Sequence, residues 1–336
     1  MGHIEEGVGM KDLKKLLQNA KRIGITGHIR PDGDCVGSNV GLYEYLMANY
    51  NRDGSKVIDM YLEAVPEEYK FLVGADKVQQ DYPDVKAYDV FFALDCGSLD
   101  RLGLAQKYAM EAKTVINIDH HISNTGFADQ TIMNLEASST CEVLFDLFDV
   151  ECIPTSTAIA LYLGIVHDTG VFKHSNTSEK TMCIAGKLIS LGAQPSKIID
   201  ETFYQKTYIQ NQILGRCLME SMLILDGKII IGSISKKEQE FYGVVPSDLD
   251  GIIDQLRVTK GVEVAILVRE DGVQEYKVSM RSNGIVDVSK IAVFFGGGGH
   301  IKAAGCNMKG SYHDVLNNLT IWIEHQLKQS NEKVSQ

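Results

Sequence analysis

The 336-residue sequence predicts an α/β protein of two domains, the first of them a parallel sheet with helices on both faces. Three observations lead to this fold class. The length exceeds the roughly 100 to 200 residues of an ordinary domain. Short apolar runs alternate with helical patterns from Lys11 to about Leu191. A helical stretch then separates this part from a second group of strand patterns. The composition, with 44% hydrophobic and 23% charged residues, is typical of a water-soluble globular protein.

Four short apolar runs in the first part of the chain are expected to be buried parallel strands. They are Arg22–Thr26, Val57–Leu62, Val90–Leu94 and Val115–Ile118. Polar residues follow three of them directly, namely His28, Asp95 and the pair Asp119-His120. Because ligands of open α/β sheets bind at the carboxyl ends of the strands, this edge is the expected site.

The predicted domain boundaries follow the change in pattern. A first domain at 1–193 leads into a helical connector at 194–221, which begins near Pro195, a residue suited to a helix start. A smaller α/β domain with a mixed sheet is expected at 222–330, with strands at Lys228–Ser233, Val262–Arg269 and Glu275–Met280. The last two are expected to be joined at Asp271-Gly272, and 331–336 to form a frayed tail.

Charge and cysteine usage limit the partners. The formal net charge of −11 disfavours long duplex nucleic acid, which is bound by broad basic surfaces, but allows a small anion held by metal ions or a few arginines. No apolar run of about 18 residues suggests a membrane span, and no signal peptide is recognisable. Seven scattered cysteines without a Cys-x2-Cys pair indicate reduced thiols in a cytoplasmic protein.

The segment from His28 to Asp34 places an imidazole and two carboxylates, Asp32 and Asp34, in one loop, with a helix expected from near Ser38. Hard divalent cations prefer such oxygen and imidazole ligands, and the absence of any thiolate at this motif favours Mn²⁺ or Mg²⁺ over structural zinc. The alternative is an ordinary Pro-Asp-Gly-Asp turn with a capping aspartate.

Two further aspartates end regular elements. Asp95 follows a buried strand, where a rigidly held carboxylate could bridge two metals, or where it could simply cap a helix. Asp168 ends an apolar helical pattern, a position at which the helix dipole disfavours an acid. That cost favours a metal-binding role over a plain helix end.

The triplet Asp119-His120-His121 is the most distinctive local pattern in the sequence. Three titratable groups in a row at a strand end are costly to desolvate unless an ion or a charged ligand is bound there. A histidine buried for structural reasons explains one such residue but not two.

These four elements, in this order, resemble the DHH phosphoesterase superfamily, which is named after the Asp119-His120-His121 triplet. The glycine run at 295–300, followed by Ala303-Ala304-Gly305, is similar to the DHH-associated C-terminal domain of the first type. Together the two resemblances cover nearly the whole chain.

The resemblance implies two metal ions in one active site, Mn²⁺ or its substitutes Mg²⁺ and Co²⁺, that activate water and stabilise the leaving oxygen. The implied ligands are His28, Asp32 and Asp95 for one ion, and Asp34, Asp95, His120 and Asp168 for the other. Asp95 would bridge the ions, His121 would face the phosphate, and Asp119 would support the metal ligands. Four carboxylates then balance two divalent cations in formal charge.

The second domain is expected to hold the substrate away from the reacting phosphate. Glycines let backbone N–H groups approach a phosphate or base, and an arginine can bind a terminal phosphate through two hydrogen bonds. A flexible loop and an exposed ion pair are the respective alternatives. The candidate substrate-binding residues are Gly297, Gly298, Gly299, His300, Arg281, Ser282, Asn283 and Arg101.

Within the superfamily, the two-domain layout resembles the enzymes that cleave very short RNA to mononucleotides and remove the 3'-phosphate of 3'-phosphoadenosine-5'-phosphate. Hydrolysis of cyclic di-AMP or its linear product, manganese-dependent inorganic pyrophosphatase activity, and a silent nucleotide-binding sensor are the alternatives. A homodimer through the first domain is expected by analogy alone.

Overall fold

A computed structural model describes residues 10–334 of the chain. The chain divides into two compact units, of which the first ends at Gln205 and the second begins at Lys206. This boundary lies inside the stretch expected to be a connector.

The N-terminal unit alternates strands and helices along the chain. Its strands are β1 (Arg22–Thr26), β2 (Val57–Tyr61), β3 (Val78–Gln79), β4 (Val90–Leu94), β5 (Val115–Asp119) and β6 (Gln130–Met133). Its helices are α1 (Met10–Asn19), α2 (Gly33–Tyr50), α3 (Gln106–Glu111), α4 (Thr140–Leu147), α5 (Thr155–Asp168), α6 (Glu179–Ser190) and α7 (Pro195–Ile199). A π-helical turn, Asp200–Tyr204, ends the unit.

The six strands form one parallel sheet in the order β3-β2-β1-β4-β5-β6. The predicted fold class is confirmed, and the four predicted strands are its centre. Sequence patterns did not identify β3, which has only two residues, or β6, whose residues are all half-buried. Neither strand has the continuous apolar run that marks a strand covered on both faces.

Strand β4 shows how both faces of this sheet are covered. Phe92 and Leu94 are fully buried in the core formed with α2 and α5, whereas Phe91 and Ala93 are buried on the opposite face, where α3 packs. Gly24 on the neighbouring strand leaves room for the Phe91 ring, because a Cβ at Gly24 would lie 2.3 Å from it. The sheet is therefore a buried, rigid support for the residues at its carboxyl edge.

Helix α2 begins at Gly33, five residues earlier than the sequence suggested. Asp32 caps it, because its carboxylate accepts a hydrogen bond from the Cys35 amide at 3.1 Å. The glycines of this segment serve close packing: a Cβ at Gly33 would lie 2.3 Å from the His167 ring, and one at Gly37 would lie 2.5 Å from a backbone carbonyl of α5. Helices α2 and α5 can thus approach closely beside the expected site.

The C-terminal unit contains a second six-stranded sheet. Its strands are β7 (Met222–Ile224), β8 (Ile229–Ile234), β9 (Val264–Gly272), β10 (Glu275–Ser282), β11 (Gly298–His300) and β12 (Ala303–Lys309). Its helices are α8 (Tyr208–Met219), α9 (Lys236–Tyr242), α10 (Ile252–Arg257), α11 (Val288–Phe294) and α12 (Tyr312–Val334). The order is β11-β12-β10-β9-β8-β7, with β8 and β9 parallel and the other pairs antiparallel, so the predicted mixed sheet is confirmed.

Two details of this unit differ from the sequence expectations. The hairpin between β9 and β10 turns at Val273 and Gln274, with Gln274 at a positive φ of 56°, while Asp271-Gly272 still belong to β9. Helix α12 continues through Val334, which corrects the frayed tail expected at 331–336 for residues 331–334. Its buried residues recur every four positions, at Val315, Leu319 and Ile323, and anchor the helix to the core. Residues 335 and 336 lie outside the described part.

Between residues 10 and 334, no helix combines the length and apolar character needed to cross a membrane.

Candidate metal centre

The first predicted ligand, His28, lies two residues after β1 and is 6% exposed. Its Nδ1 donates a hydrogen bond to the carbonyl of Ile29 at 2.8 Å, which fixes the ring. Its Nε2 lies 3.5 Å from Asp95 Oδ2 and 3.7 Å from Asp32 Oδ1. The backbone therefore directs the free nitrogen of His28 toward the carboxylates.

Asp34 lies in the first turn of α2 and is fully buried. Its two carboxylate oxygens accept hydrogen bonds from the amides of Thr140 at 2.6 Å and Cys141 at 3.0 Å, at the start of α4. Gly164 makes this approach possible, because a Cβ there would lie 2.6 Å from Asp34 Oδ1. Three helices thus hold one buried acid in place.

Asp95 follows β4 directly, is 2% exposed, and has a φ of 54°. A left-handed conformation is uncommon for residues other than glycine and is often found at functional sites. Thr140 Oγ1 donates a hydrogen bond to Asp95 Oδ1 at 3.1 Å, and the same oxygen lies 3.7 Å from His120 Nε2. The strained backbone aims this carboxylate into the space shared by the other candidate ligands.

His120 carries the most informative atom of the site. Its Nε2 is buried and, although Asp168 Oδ2 lies 3.1 Å away, makes no well-aligned hydrogen bond to any residue in the described range. The nearest carboxylate oxygens are those of Asp168 at 3.1 Å, Asp95 at 3.7 Å and Asp34 at 3.9 Å. A buried nitrogen facing three carboxylates without a hydrogen bond is expected where a cation binds between them.

Asp119 and His121 lie next to the predicted metal ligands and contact each other. Asp119 is fully buried, and its Oδ1 accepts hydrogen bonds from the amides of His120 at 2.8 Å and His121 at 3.2 Å and from His121 Nδ1 at 2.7 Å. Its other oxygen accepts a hydrogen bond from Asn124 Nδ2 at 2.6 Å, and Asn124 also donates to Asn117 at 2.7 Å. The sequence does not predict this Asn117–Asn124 contact, because the path of the loop after the triplet decides which side chains meet.

The side chains that approach most closely form three groups, each with its possible ligand atoms within 4.8 Å of one another. The groups are Asp34, His120 and Asp168; Asp95, His120 and His121; and His28, Cys35 and Asp95. Five of the six predicted metal ligands are brought together in this way. The sixth, Asp32, has a side chain that is 61% exposed and lies at the edge of the site.

Cys35 is a thiol beside the first motif that the sequence analysis did not count among the candidate ligands. It follows Asp34 directly in the sequence, and its buried sulfur belongs to the same group as His28 and Asp95. Burial raises the pKa of this thiol to about 12, so the thiol stays protonated in the protein as described. Its position inside α2, after the helix start at Gly33, could not be read from a pattern that placed the helix start near Ser38.

The acids of the centre are crowded. Burial, followed by the charges of Asp95 and Asp168, raises the pKa of Asp34 well above its ordinary value. Burial also raises the pKa of Asp168. Burial lowers the pKa of His120, but the carboxylates of Asp168 and Asp34 outweigh this and raise it to about 10. The shifts have a common origin in carboxylates that lie close together in a buried site.

This donor set fits divalent metal ions. Carboxylate oxygens and imidazole nitrogens are the ligands that Mn²⁺ and Mg²⁺ accept in proteins. The bare Nε2 of His120 and the crowded acids both indicate that positive charge belongs at this position. Helix and backbone contacts already orient the ligands, as metal sites require.

Of the three predicted substrate-binding residues near β10, Arg281 has a partly exposed, ion-paired side chain, and the other two have structural roles. The Arg281 guanidinium is partly exposed, with its Nε 3.5 Å from Asp254. Ser282 is 2% exposed and donates its hydroxyl hydrogen bond to Glu263 at 3.0 Å. The Asn283 amide holds the carbonyls of Arg257 and Val262. The side chains of Ser282 and Asn283 thus stabilise the loop after β10.

The glycine run is partly a strand, since Gly298–His300 form β11 and pair with β12. Gly297 and Gly299 are required by packing, because a Cβ at either would lie within 2.5 Å of a backbone carbonyl of β12. Gly298 faces open space, and His300 is exposed. In the other unit, Arg101 is exposed and its carbonyl accepts the Ile29 amide at 2.8 Å, beside the loop that carries His28.

Comparison with known proteins matches both units to described domains. Residues 22–165 match the DHH family, N-terminal domain, and residues 226–329 match the DHHA1 domain. The chain is 29% identical over 295 residues to the bifunctional oligoribonuclease and PAP phosphatase NrnA of Thermus thermophilus, covering 86% of this chain and 84% of that protein. The protein of the same name from Bacillus subtilis is 27% identical, with coverages of 84% and 87%.

A solved structure supports the fold. The exopolyphosphatase-related protein from Bacteroides fragilis superimposes with a TM-score of 0.83 at 24% identity, covering 96% of this chain and 97% of that one. The cyclic-di-AMP phosphodiesterase GdpP of Bacillus subtilis is also similar, at 26% identity, but this chain covers only 46% of it.

Proposed function

The chain belongs to the DHH family of phosphoesterases, and from that premise we propose that it hydrolyses very short oligoribonucleotides to mononucleotides and removes the 3'-phosphate of 3'-phosphoadenosine-5'-phosphate. The names of the relatives from Thermus thermophilus and Bacillus subtilis support this substrate class. The net charge of −11 supports a small substrate over a long nucleic acid.

The observation that carries the proposal is the convergence of three buried or half-buried acids on His120 Nε2, which has no hydrogen-bond partner within residues 10–334. Phosphoester hydrolysis needs positive charge to bind the phosphate and a means of activating water. A protein with an overall negative charge can provide both at such a site if it binds divalent cations.

We assign the ions to the residues expected from the sequence. His28, Asp32 and Asp95 would hold one Mn²⁺, and Asp34, Asp95, His120 and Asp168 would hold the other, with Mg²⁺ or Co²⁺ as substitutes. Two such ions supply charge neutralisation at the phosphate and activation of water.

The residues of the chain itself orient the reacting groups. The Asp119 carboxylate fixes His121 through its Nδ1 at 2.7 Å, which leaves the Nε2 of this half-exposed ring free to face the phosphate. Asn124 holds the other oxygen of Asp119, so the acid cannot rotate. Thr140 fixes the orientation of Asp95 through its hydroxyl. His121 and Asp95 act as the catalytic residues, and Asp119 and Asn124 act as positioning residues.

In the C-terminal unit, one face of the sheet offers groups for the rest of the substrate. His300 pairs with Ala303, and Ala303 pairs with Arg281, so the three side chains point to the same face. Gly298 and Gly305 pair beside them and leave the backbone uncovered. The His300 imidazole and the Arg281 guanidinium could bind a phosphate, and the glycine backbone beside them leaves room for the rest of a nucleotide.

The direct test is an assay of the purified chain with Mn²⁺ on a 5'-labelled RNA dinucleotide, 3'-phosphoadenosine-5'-phosphate, cyclic di-AMP and pyrophosphate. We expect mononucleotide and phosphate release from the first two, loss of both activities with EDTA, and loss of both in Asp95→Asn. The matched control is Asp149→Asn, which removes a half-exposed carboxylate 3.9 Å from Lys14 and should keep full activity. Cleavage of pyrophosphate alone, or nucleotide binding without turnover, would refute the proposal.

We also propose a cytoplasmic location, which the seven free cysteines support because disulfides are rare in that reducing compartment.

A further inference from the structure

A cavity of about 280 Å³ lies at the carboxyl edge of the N-terminal sheet, beside the metal centre, with which it shares His28. It is bounded by the ends of β1 and β2, by the segment after β3, and by the 3-10 turn Leu99–Ala105. Its volume is near the lower limit of roughly 300 Å³ for small-molecule sites. The reaction proposed above assigns no role to this space.

One part of the cavity wall is apolar and aromatic. Leu62, Leu102 and Leu104 line it together with Tyr82. The Tyr82 ring stacks on Tyr61, with ring centroids 5.7 Å apart and planes inclined by 24°. Tyr61 is fully buried, and its hydroxyl contacts that of Tyr88 at 2.8 Å. Tyr82 is therefore a fixed flat surface of the kind on which a heteroaromatic ring stacks.

The polar part of the lining selects among possible ligands. Glu63 and Gln80 both line the cavity and are exposed. The Glu63 carboxylate accepts a hydrogen bond from the Arg30 amide at 2.7 Å, which ties it to the loop carrying His28. Burial and then the Glu63 charge raise the pKa of Tyr82, so the phenol stays neutral. A carboxylate repels phosphate and accepts hydrogen bonds from N–H groups, which favours an uncharged ring with N–H donors.

The cavity is directly connected with the metal centre through His28. This residue lines the cavity, and its Nε2 faces Asp32 and Asp95. Strand β1, which leads into His28, is paired with β2 on the cavity side and with β4, which leads into Asp95, on the other. His28 alone would therefore separate a group bound in the cavity from the metal ions that would bind the phosphate.

We propose that this cavity binds the base of a nucleoside joined to the reacting phosphate, with Tyr82 stacking on the ring and Glu63 accepting hydrogen bonds from its N–H edge. The inference rests on the proposed phosphoesterase function. Guanine presents two adjacent N–H donors to one carboxylate, whereas uracil presents a single N–H between two carbonyls, so guanine should be preferred.

The test compares a 5'-phosphorylated GpG dinucleotide with two analogues in which one or the other base is replaced by hydrogen. Leu104→Trp fills the cavity, and the native side chain is 69% exposed, so the larger residue should not disturb the core. We expect kcat/KM for GpG to fall about tenfold, to the value of one of the two abasic analogues, while the rate on that analogue stays unchanged. Met110→Trp, at a 71% exposed position on α3 away from the cavity, is the matched control and should change nothing.

Glu63→Gln provides a second test, because it keeps the size and an acceptor oxygen but adds donors and removes the charge. The ratio of kcat/KM for GpG over UpU should fall several-fold, mainly because the rate on GpG decreases. A purely structural role for Glu63 would lower both rates equally and leave the ratio unchanged.

The outcomes separate the two proposals. If the native chain with Mn²⁺ hydrolyses neither dinucleotides nor abasic analogues, the proposed function fails. If it hydrolyses all of them at equal rates, or if Leu104→Trp lowers every rate by the same factor, the function stands and the base-binding cavity is refuted.

Discussion

The aspartates at the two ends of the N-terminal sheet have different surroundings and different roles. At the amino end, Asp89 precedes β4 and accepts hydrogen bonds from the amides of Lys21 at 2.9 Å and Arg22 at 3.0 Å and from Lys113 Nζ at 2.7 Å. At the carboxyl end, Asp95 follows the same strand and faces His28 and His120 among other acids. The two aspartates are six residues apart and differ in what surrounds them.

Asp89 and Asp34, one acid from each end of the sheet, have opposite pKa shifts. The Lys113 ammonium holds the pKa of Asp89 down to about 2. Burial and the neighbouring carboxylates raise the pKa of Asp34 well above its ordinary value. An acid whose charged form is satisfied stabilises the fold, whereas acids gathered without a counter-charge destabilise it until a cation binds. Stability and function are therefore assigned to opposite ends of the same sheet.

Replacing one aspartate at each end should separate the two roles most clearly. Asp95→Asn removes a shared ligand, and kcat on an RNA dinucleotide should fall by more than the roughly 100-fold that loss of an outer support costs. Asp89→Asn should leave kcat within about twofold of the native value, because Asp89 is at the opposite end of the sheet. Steady-state kinetics with saturating Mn²⁺ provide the measurement, and equal losses in the two variants would invalidate the comparison.

The increase in thermal stability on Mn²⁺ binding should depend on the aspartate at the carboxyl end of the sheet and not on the one at the amino end. At Mn²⁺ concentrations about 100 times the dissociation constant, binding adds about 2.7 kcal/mol to the free energy of unfolding, or several degrees in Tm. We expect this increase in the native chain and in Asp89→Asn, and a much smaller one in Asp95→Asn. In the absence of metal, Asp95→Asn should be at least as stable as the native chain, because it relieves acid crowding. Thermal denaturation with EDTA or Mn²⁺ measures both effects, and a Tm increase of equal size in Asp95→Asn would count against the assignment.

Replacing Asn124, which holds the Asp119 carboxylate, should have a smaller effect on activity than replacing Asp95. Asn124→Ala removes the hydrogen bonds to Asp119 at 2.6 Å and to Asn117 at 2.7 Å, and kcat should fall about 10- to 100-fold with little change in KM. Asn49→Ala is the matched control, because among residues 10–334 the Asn49 amide donates hydrogen bonds to the carbonyls of Tyr45 and Cys152 and to no residue of the metal centre. A rise in KM without a fall in kcat would show that Asn124 contacts substrate and does not position His121.

The smallest expected effect is on the free energy of unfolding at low pH, through Asp89 at the amino end of the sheet. Because the pKa of Asp89 is depressed from its ordinary value of 3.8 to about 2, its stabilisation is fully present above about pH 4 and is lost as the pH falls toward 2. Asp89→Asn should cost about 1 to 2 kcal/mol at pH 6, a modest value because the Lys113 ion pair is partly exposed to water. Urea denaturation of both proteins at pH 6 and pH 3 should show a smaller difference at pH 3. A difference independent of pH would mean that the carboxylate charge contributes nothing.

The sequence predicted the centre of the molecule better than its margins. The strands that lead into His28, Asp95 and Asp119 are rich in β-branched and other apolar residues, and this pattern predicts their burial. Strand β11 could not be predicted, because a run of glycines has no side-chain pattern and its pairing depends on the distant strand β12. Local pattern thus identifies elements buried on both faces and misses those defined by a partner far along the chain.

The site shows a similar division. Residue type and position at strand ends identified the acids and histidines that the fold brings together. The exposure of Asp32 and the position of the Cys35 sulfur near His28 and Asp95 depend on where α2 begins. The start of α2 is determined by the Asp32 cap and by the close packing of Gly33 on His167. The Asn117–Asn124 support depends on the exact path of a loop. Ser282 was expected to contact substrate because nothing in the sequence shows that the buried Glu263 binds its hydroxyl.

The central claim is that the carboxyl end of the sheet is a binding site for divalent metal, and isothermal titration of the metal-free chain with Mn²⁺ tests it most directly. The account predicts two Mn²⁺ ions bound per native chain, unchanged binding in Asp89→Asn, and loss of the tight binding in Asp95→Asn. Binding of Mn²⁺ to Asp95→Asn with the native stoichiometry and affinity would contradict it.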